Sequence, residues 1–274
     1  MIHLLRAFAR SHHRAALRSA AVLLTSAAFV PSARADEADQ RGWQLAEPSA
    51  DRRPAQEDAP VVLLTHSARG TSAGRYGASA FGSSTLEASN DVNRQSRFGG
   101  GLRLWGAPID RVTLLAEGSQ RDNGEPAPSV TLQVRILESQ AWALGALSRY
   151  KAEGFAEIEG EIEAGLLGSY AGGGLHLDLN ALAGRGVEEE ETDGELLFRS
   201  GYEVFGPVQL GLEGRARYRI AGTLDLPGGR RWDAFGGPQL TASFDQFYAG
   251  ALTGPASAPS GVGWTSMLTL GGVM

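Results

Sequence analysis

From about residue 75 to its end, the chain alternates apolar and polar side chains in long runs broken by Gly-, Pro- and charge-rich stretches. Val130, Leu132, Val134 and Ile136 share one parity, and Thr131, Gln133 and Arg135 the other. Leu175, Leu177, Leu179, Ala181 and Ala183 stand against His176, Asp178 and Asn180. Val208, Leu210, Leu212, Ala216, Tyr218 and Ile220 stand against Gln209, Glu213, Arg215, Arg217 and Arg219. Successive strand side chains point to opposite faces, so each run reads as a strand with one apolar and one polar face. Runs of this length match a tilted strand crossing a bilayer and are long for a soluble sandwich. Beyond Val30 there is no stretch of about twenty apolar residues that would cross as a helix. Strands in lipid satisfy their backbone polar groups only by closing into a barrel. The 37 glycines suit that architecture and would weaken a helical bundle.

The alternation predicts strands over 75–87, 96–105, 110–119, 128–138, 142–151, 155–170, 173–184, 195–205, 208–220, 233–244, 246–254 and 262–273. The fold class is therefore all-β: a closed antiparallel transmembrane barrel of about 12 strands, with 10 or 14 as the neighbouring possibilities. The breaks alternate in length. Gly106-Ala107-Pro108, Ser139-Gln140, Ala171-Gly172, Gly206-Pro207 and Asp245 are tight, whereas 88–95, 120–127, 185–194, 221–232 and 255–261 are longer. The connection 152–154 departs from this rule, being short on the long-loop side. Short turns at one end and long loops at the other place both termini on the turn side, the periplasmic side of an outer-membrane barrel.

Residues 1–35 have the three parts of an export signal. Arg6, Arg10, Arg14 and Arg18 precede a short apolar stretch from Ala20 to Val30, and Ala33-Arg34-Ala35 offers small residues for cleavage. Removing them deletes five of the 25 basic residues and none of the 31 acidic ones, leaving a formal charge of −11. Such a surface does not suit a nucleic-acid partner. With no cysteine, a lipoprotein anchor and a disulfide framework are both excluded. Residues 36–74 read as a flexible periplasmic segment, charged and Ala/Pro-rich up to residue 60. Within it the run Val61-Val62-Leu63-Leu64-Thr65 stays open between an extra strand, a piece packed into the barrel mouth and a free periplasmic stretch.

In this pattern residues 75–274, with the signal, resemble the mid-sized bacterial outer-membrane β-barrel proteins of porin or channel type. The resemblance lies in the pattern and not in a family-specific motif. It implies outer-membrane lipid and lipopolysaccharide as surroundings and the barrel insertion machinery as a partner. Members usually end in an aromatic residue, whereas this chain ends Leu270-Gly271-Gly272-Val273-Met274.

The candidate site is the inward face. Glu157, Glu159, Glu161 and Glu163 share one parity, and carboxylates cannot face lipid, so they line the lumen. Arg111, Arg135, Arg149, Lys151, Arg199, Arg215, Arg217 and Arg219 fall at inward parity as well. A simple hairpin at 152–154 sets Arg149 opposite Glu157, and a turn at 205–207 sets Arg199 opposite Glu213. Two readings of these charges stand together. One is a charge-paired interior that holds the barrel's shape. The other is a divided pore, with an acidic wall at 157–163 facing a basic wall at 215–219. Trp142, Tyr150, Tyr170, Phe198, Tyr202, Tyr218, Phe244 and Trp264 recur at outward parity, as interfacial girdles do. The run from Glu188 to Glu191 is expected in an external loop.

Only His66 and His176 remain in the mature chain. His176 shares its face with Asp178 and Asn180 and has no serine on its strand, so neither hydrolytic chemistry nor a metal site is expected. No cofactor is expected either. The expectation is a small channel for hydrophilic or charged solutes. The alternative is a closed structural or anchoring barrel whose loops or N-terminal segment bind a partner.

Overall fold

The computed structural model describes residues 59–87, 96–120, 126–152, 160–187, 191–222, 231–258 and 261–274. These form twelve strands: β1 (Tyr76–Glu87), β2 (Ser96–Ile109), β3 (Val112–Gln120), β4 (Pro126–Glu138), β5 (Trp142–Ala152), β6 (Gly160–Gly172), β7 (Leu175–Gly186), β8 (Thr192–Phe205), β9 (Val208–Ala221), β10 (Trp232–Phe244), β11 (Phe247–Ala258) and β12 (Gly261–Val273). Each strand pairs antiparallel with its neighbours in sequence, and β1 pairs with β12 to close the barrel. The closing seam runs from Gly77 opposite Val273 to Glu87 opposite Gly263. Beyond it, Tyr76 and Met274 exchange backbone hydrogen bonds in both directions, 3.2 and 2.7 Å.

The tight connections at 110–111, 139–141, 173–174, 206–207 and 245–246 lie at one end, with both ends of the barrel chain. Gly173 and Gly174 both take positive φ, 61° and 78°, as a two-residue hairpin of the twist-compatible kind requires. Arg111 and Asp245 reach the same region at φ 69° and 53°. At the other end the last connection spans only 259–260, because β11 and β12 extend into the longer break read from the sequence.

The outward face is a belt of exposed apolar side chains, among them Leu132, Leu144, Leu166, Leu179, Leu196, Leu212, Leu240 and Leu268. A continuous belt of that kind is far larger than the apolar patches soluble monomers leave in water, and its solvent is lipid. Exposed aromatics border it at both ends. Tyr76, Trp142, Tyr202, Phe205, Phe244 and Phe247 lie near the turn end, and Phe98, Tyr150, Tyr218, Trp232 and Trp264 toward the other. Amphipathic rings settle at the headgroup level for the same reason.

The structure differs from the sequence reading at β6, which begins at Gly160. Arg149 consequently stands opposite Glu163 and not opposite Glu157, because β5 and β6 are joined by a longer connection than a 152–154 hairpin. Glu157 and Glu159 lie outside the described residues. The Arg199–Glu213 register, by contrast, is as expected.

The belt yields a direct test. Leu212 is about half exposed on the outward face of β9, so Leu212→Arg is expected to cost about 2–4 kcal/mol. Denaturant unfolding in phosphocholine vesicles measures this, and Leu212→Ala should cost much less.

Candidate functional site

The inward face is not uniformly polar. Leu147, Leu167, Leu182 and Leu197 form one buried apolar cluster with Ala68 and Ala143, and Trp105, Leu115, Tyr248, Leu252, Met267 and Val273 form another with Ala59, Val61, Val62 and Leu63. Two oily patches in an open lumen would face water. Here residues 59–71 cover them from inside the barrel. The apolar run 61–65 is thus neither an extra strand nor a free stretch but a piece packed inside the barrel. Val61, Val62 and Leu63 are each 4% exposed or less, a burial worth about 2 kcal/mol per side chain. Gly250 on β11 makes room for them, since a Cβ there would lie 3.1 Å from Val62 Cγ1 and 3.3 Å from Leu63 Cγ. A bridge between Val61 and His66, with a hydrogen bond from Ser67 N to Pro60 O (2.9 Å), folds the segment back on itself.

The barrel wall holds this segment by its main chain. Arg103 donates to the carbonyls of Val62 (3.4 Å) and Leu63 (3.1 Å). Glu213 Oε1 accepts from the amides of Leu64 (2.9 Å) and Thr65 (2.7 Å). Asn180 makes a two-way clamp on His66, accepting from its N–H and donating to its carbonyl, both at 2.8 Å. Ser169 Oγ accepts from Ala68 N (2.7 Å), and Thr113 Oγ1 from Thr71 N (3.0 Å). Gln133 donates to the Ser67 carbonyl (2.5 Å) and Arg135 to that of Arg69 (3.1 Å). Glu213, Asn180, Ser169, Gln133 and Thr113 are all buried.

Toward the loop end, acid and base alternate. Arg149 and Lys151 both pair with Glu163, and Lys151 also with Glu161 at 3.6 Å. Arg217 and Arg219 pair with Asp193, and Arg219 also with Glu191. Arg215 lies 3.8 Å from Glu195 and 3.6 Å from Asp233. Arg199 donates to Asp178 (2.8 Å), and Glu213, its register partner on β9, accepts from the segment. Each basic residue of 215–219 therefore has an acidic partner, and the described interior is an interleaved network rather than two opposed walls. Of the two acidic-wall residues described, Glu163 is fully engaged with β5.

Arg135 sits at the turn end, paired with Asp110 (2.6 Å) and Glu138 (3.0 Å). Arg111 does not line the lumen. It lies in the β2–β3 turn with its side chain 65% exposed, because β3 begins only at Val112. His176 meets Glu203 at 3.0 Å. With Ser67, Arg69, Ser169, Asp178 and Arg199 it lines a small cavity at the turn end. The sequence reading did not single out Arg103, Ser169, Thr113 or Asp193. Their inward parity was the available signal, but nothing in parity separates a residue that grips another segment from one that meets water.

His66 is sealed in the lumen. Burial, with the nearby charges of Arg149, Arg103 and Lys151, lowers its pKa to about 3 despite a hydrogen bond to the Gln133 side chain that works the other way.

A closed, lipid-belted barrel with a charged lumen defines the class: a transmembrane β-barrel of twelve strands. The comparisons with solved structures agree. The chain is similar to the NanC porin (TM-score 0.59, 7% identity, 71% of this chain and 98% of that one). It is similar to the KdgM porin in complex with disordered oligogalacturonate (TM-score 0.54, 10% identity, 72% and 98%). It is also similar to an outer membrane channel from Pseudomonas putida F1 (TM-score 0.51, 15% identity, 82% and 100%). At these identities the likeness is one of fold. No protein-family profile and no curated protein matches the chain by sequence.

Two measurements test the site. Arg199→Met leaves buried Asp178 without its cation and should cost about 3 kcal/mol in denaturant unfolding, with Arg199→Met/Asp178→Asn costing less. His66 supplies a pH dependence. Its pKa in the folded chain is below the ordinary value of 6.5, so below that value the unfolded chain takes up a proton that the folded one does not. The stability it contributes is complete above about pH 6.5 and falls as pH drops toward 3, by up to about 1.4 kcal/mol per pH unit. In His66→Gln the loss of stability between pH 7 and pH 4.5 should be smaller than in the unaltered chain.

Proposed function

We propose that the mature chain is a small channel of the bacterial outer membrane that passes hydrophilic or charged solutes. The observation that carries this is the combination of a closed barrel, an outward lipid belt and an inward network of ionised side chains. Two of the similar structures are porins and a third is an outer membrane channel, which supports the same reading. In it residues 1–35 are removed on export, and the turn end with both mature termini faces the periplasm. A second reading, a closed anchoring barrel, is favoured by one observation, the occupation of the lumen by residues 59–71.

Planar-bilayer recording of the refolded mature chain decides between them. Discrete conductance steps are expected, and a folded barrel that never conducts refutes the channel. Glu163→Gln leaves Arg149 and Lys151 without their shared counter-charge, so the variant's selectivity should shift toward anions. An unchanged reversal potential would show that the ion path does not pass the network.

A further inference from the structure

The lumen divides by its access to water. Each of the twelve strands contributes an inward side chain no more than 4% exposed. Around the barrel each of these lies opposite the next or one inward position from opposite, so together they close a ring. Thr131 stands opposite Leu115, Asn180 opposite Leu167 and Leu197, and Gln239 opposite Leu252. A water-filled bore would expose such a ring, as the polar interiors of open barrels are exposed.

Residues 59–71 stopper that ring. Side chains of β2, β3, β4, β6, β7 and β9 bond the folded-back segment through Arg103, Thr113, Gln133, Ser169, Asn180 and Glu213. On β11, Val62 and Leu63 rest over Gly250. The contacts therefore come from seven strands spread round the closed barrel. Within the segment Val62, Leu63, Thr65 and Ala68 are as dry as the wall. Water reaches the two ends instead. Toward the loops, the side chains of Lys151, Arg215 and Arg217 are 31–37% exposed. Toward the turns, that of Glu203 is 47% exposed.

We infer that residues 59–71 are the permeability barrier of this barrel, and that the ion-pair network above them lines a water-filled vestibule and not the narrowest part of the path. An ion crossing the dry ring must shed its hydration among apolar and already bonded groups, which is costly. An ion among the side chains of the network keeps water. The network can bias which ions enter the vestibule but does not stop them. The inference goes beyond the channel reading by locating the barrier, and it holds for the anchoring barrel as well.

The chain has no cysteine, so one introduced thiol reports on water at one place. Leu252→Cys puts it in the dry ring and Lys151→Cys in the vestibule. The mature chain is refolded in detergent, where both mouths meet a charged methanethiosulfonate reagent, and heat-modifiable migration on a gel verifies each variant. A thiol reacts as its thiolate and only where the reagent reaches it, so Lys151→Cys should react many-fold faster than Leu252→Cys. Replacing residues 61–68 by Gly and Ser in the same chain should raise the Leu252→Cys rate close to that of Lys151→Cys. Should that chain not fold, Val62→Ser/Leu63→Ser loosens the same contacts. With the segment unaltered, equal rates at the two sites would overturn the dry ring, and a slow Lys151→Cys would overturn the vestibule. In planar bilayers the replaced chain should conduct several-fold more than the unaltered one. Equal conductance would overturn the barrier while leaving a channel. A conducting replaced chain beside a silent unaltered one would uphold the barrier and sink the channel reading, and silence of both would overturn both.

Discussion

The backbone of a strand in lipid has no water to bond, so each unpaired N–H or C=O costs several kcal/mol. Everything else in this protein follows from the way that demand is met, by a ring of twelve strands sealed where β1 meets β12. Closure commits one parity of each strand to lipid and the other to a common interior. It also sets the diameter of that interior. Eight strands enclose a space that their own side chains fill, and sixteen or more leave a water channel. Twelve fall between. The gap is filled partly by long charged side chains and partly by residues 59–71.

The two fillings divide the lumen by chemistry. Toward the loop end, guanidinium and carboxylate groups from adjacent strands neutralise one another, and their contacts link β5 to β6 and β8 to β9. Pairs of this sort contribute modestly to stability but penalise any shift of register that would leave a charge alone. Toward the turn end the wall carries neutral amides and hydroxyls, a few ion pairs and two oily patches. This half needs an occupant, and the folded-back segment supplies both apolar side chains and an array of amides. Arg103 belongs to both halves: it pairs with Glu117 at 2.6 Å, stacks over the Phe81 ring and reaches the segment's carbonyls. His66 sits at the junction, its neutral state imposed first by burial and then by the cations of Arg149, Arg103 and Lys151.

Much of the architecture was legible in the residues. The number of strands, the place of each except the start of β6, and the parity of Glu161, Glu163, Arg149, Arg199, Glu213, Arg215, Arg217 and Arg219 followed from alternation, because period two is a local property. The β8–β9 register was legible as well, since the turn between those strands is short. At β5–β6 the register was not, because a longer connection leaves the offset between strands free. Glu163 took the partner that had been assigned to Glu157. Arg111 was misplaced for a related reason: parity extrapolated one residue past a strand's end assigns a face to a residue that is already in a turn.

The order of the elements, the outward belt and the inward charges were thus determined by the sequence alone, through the geometry of a pleated strand and the absence of water in lipid. Which charges neutralise which, and what fills the turn-end half of the lumen, were decided only by the tertiary structure. Ion pairing depends on cross-strand register on both sides of a strand, as Arg199 shows by pairing with Asp178 of β7 while standing opposite Glu213 of β9. The seating of Val61, Val62 and Leu63 depends on contacts with β2, β9 and β11 that lie far away in the chain. A short apolar run reads the same whether it hangs free or fills a cavity, because its local pattern is silent about the wall that receives it.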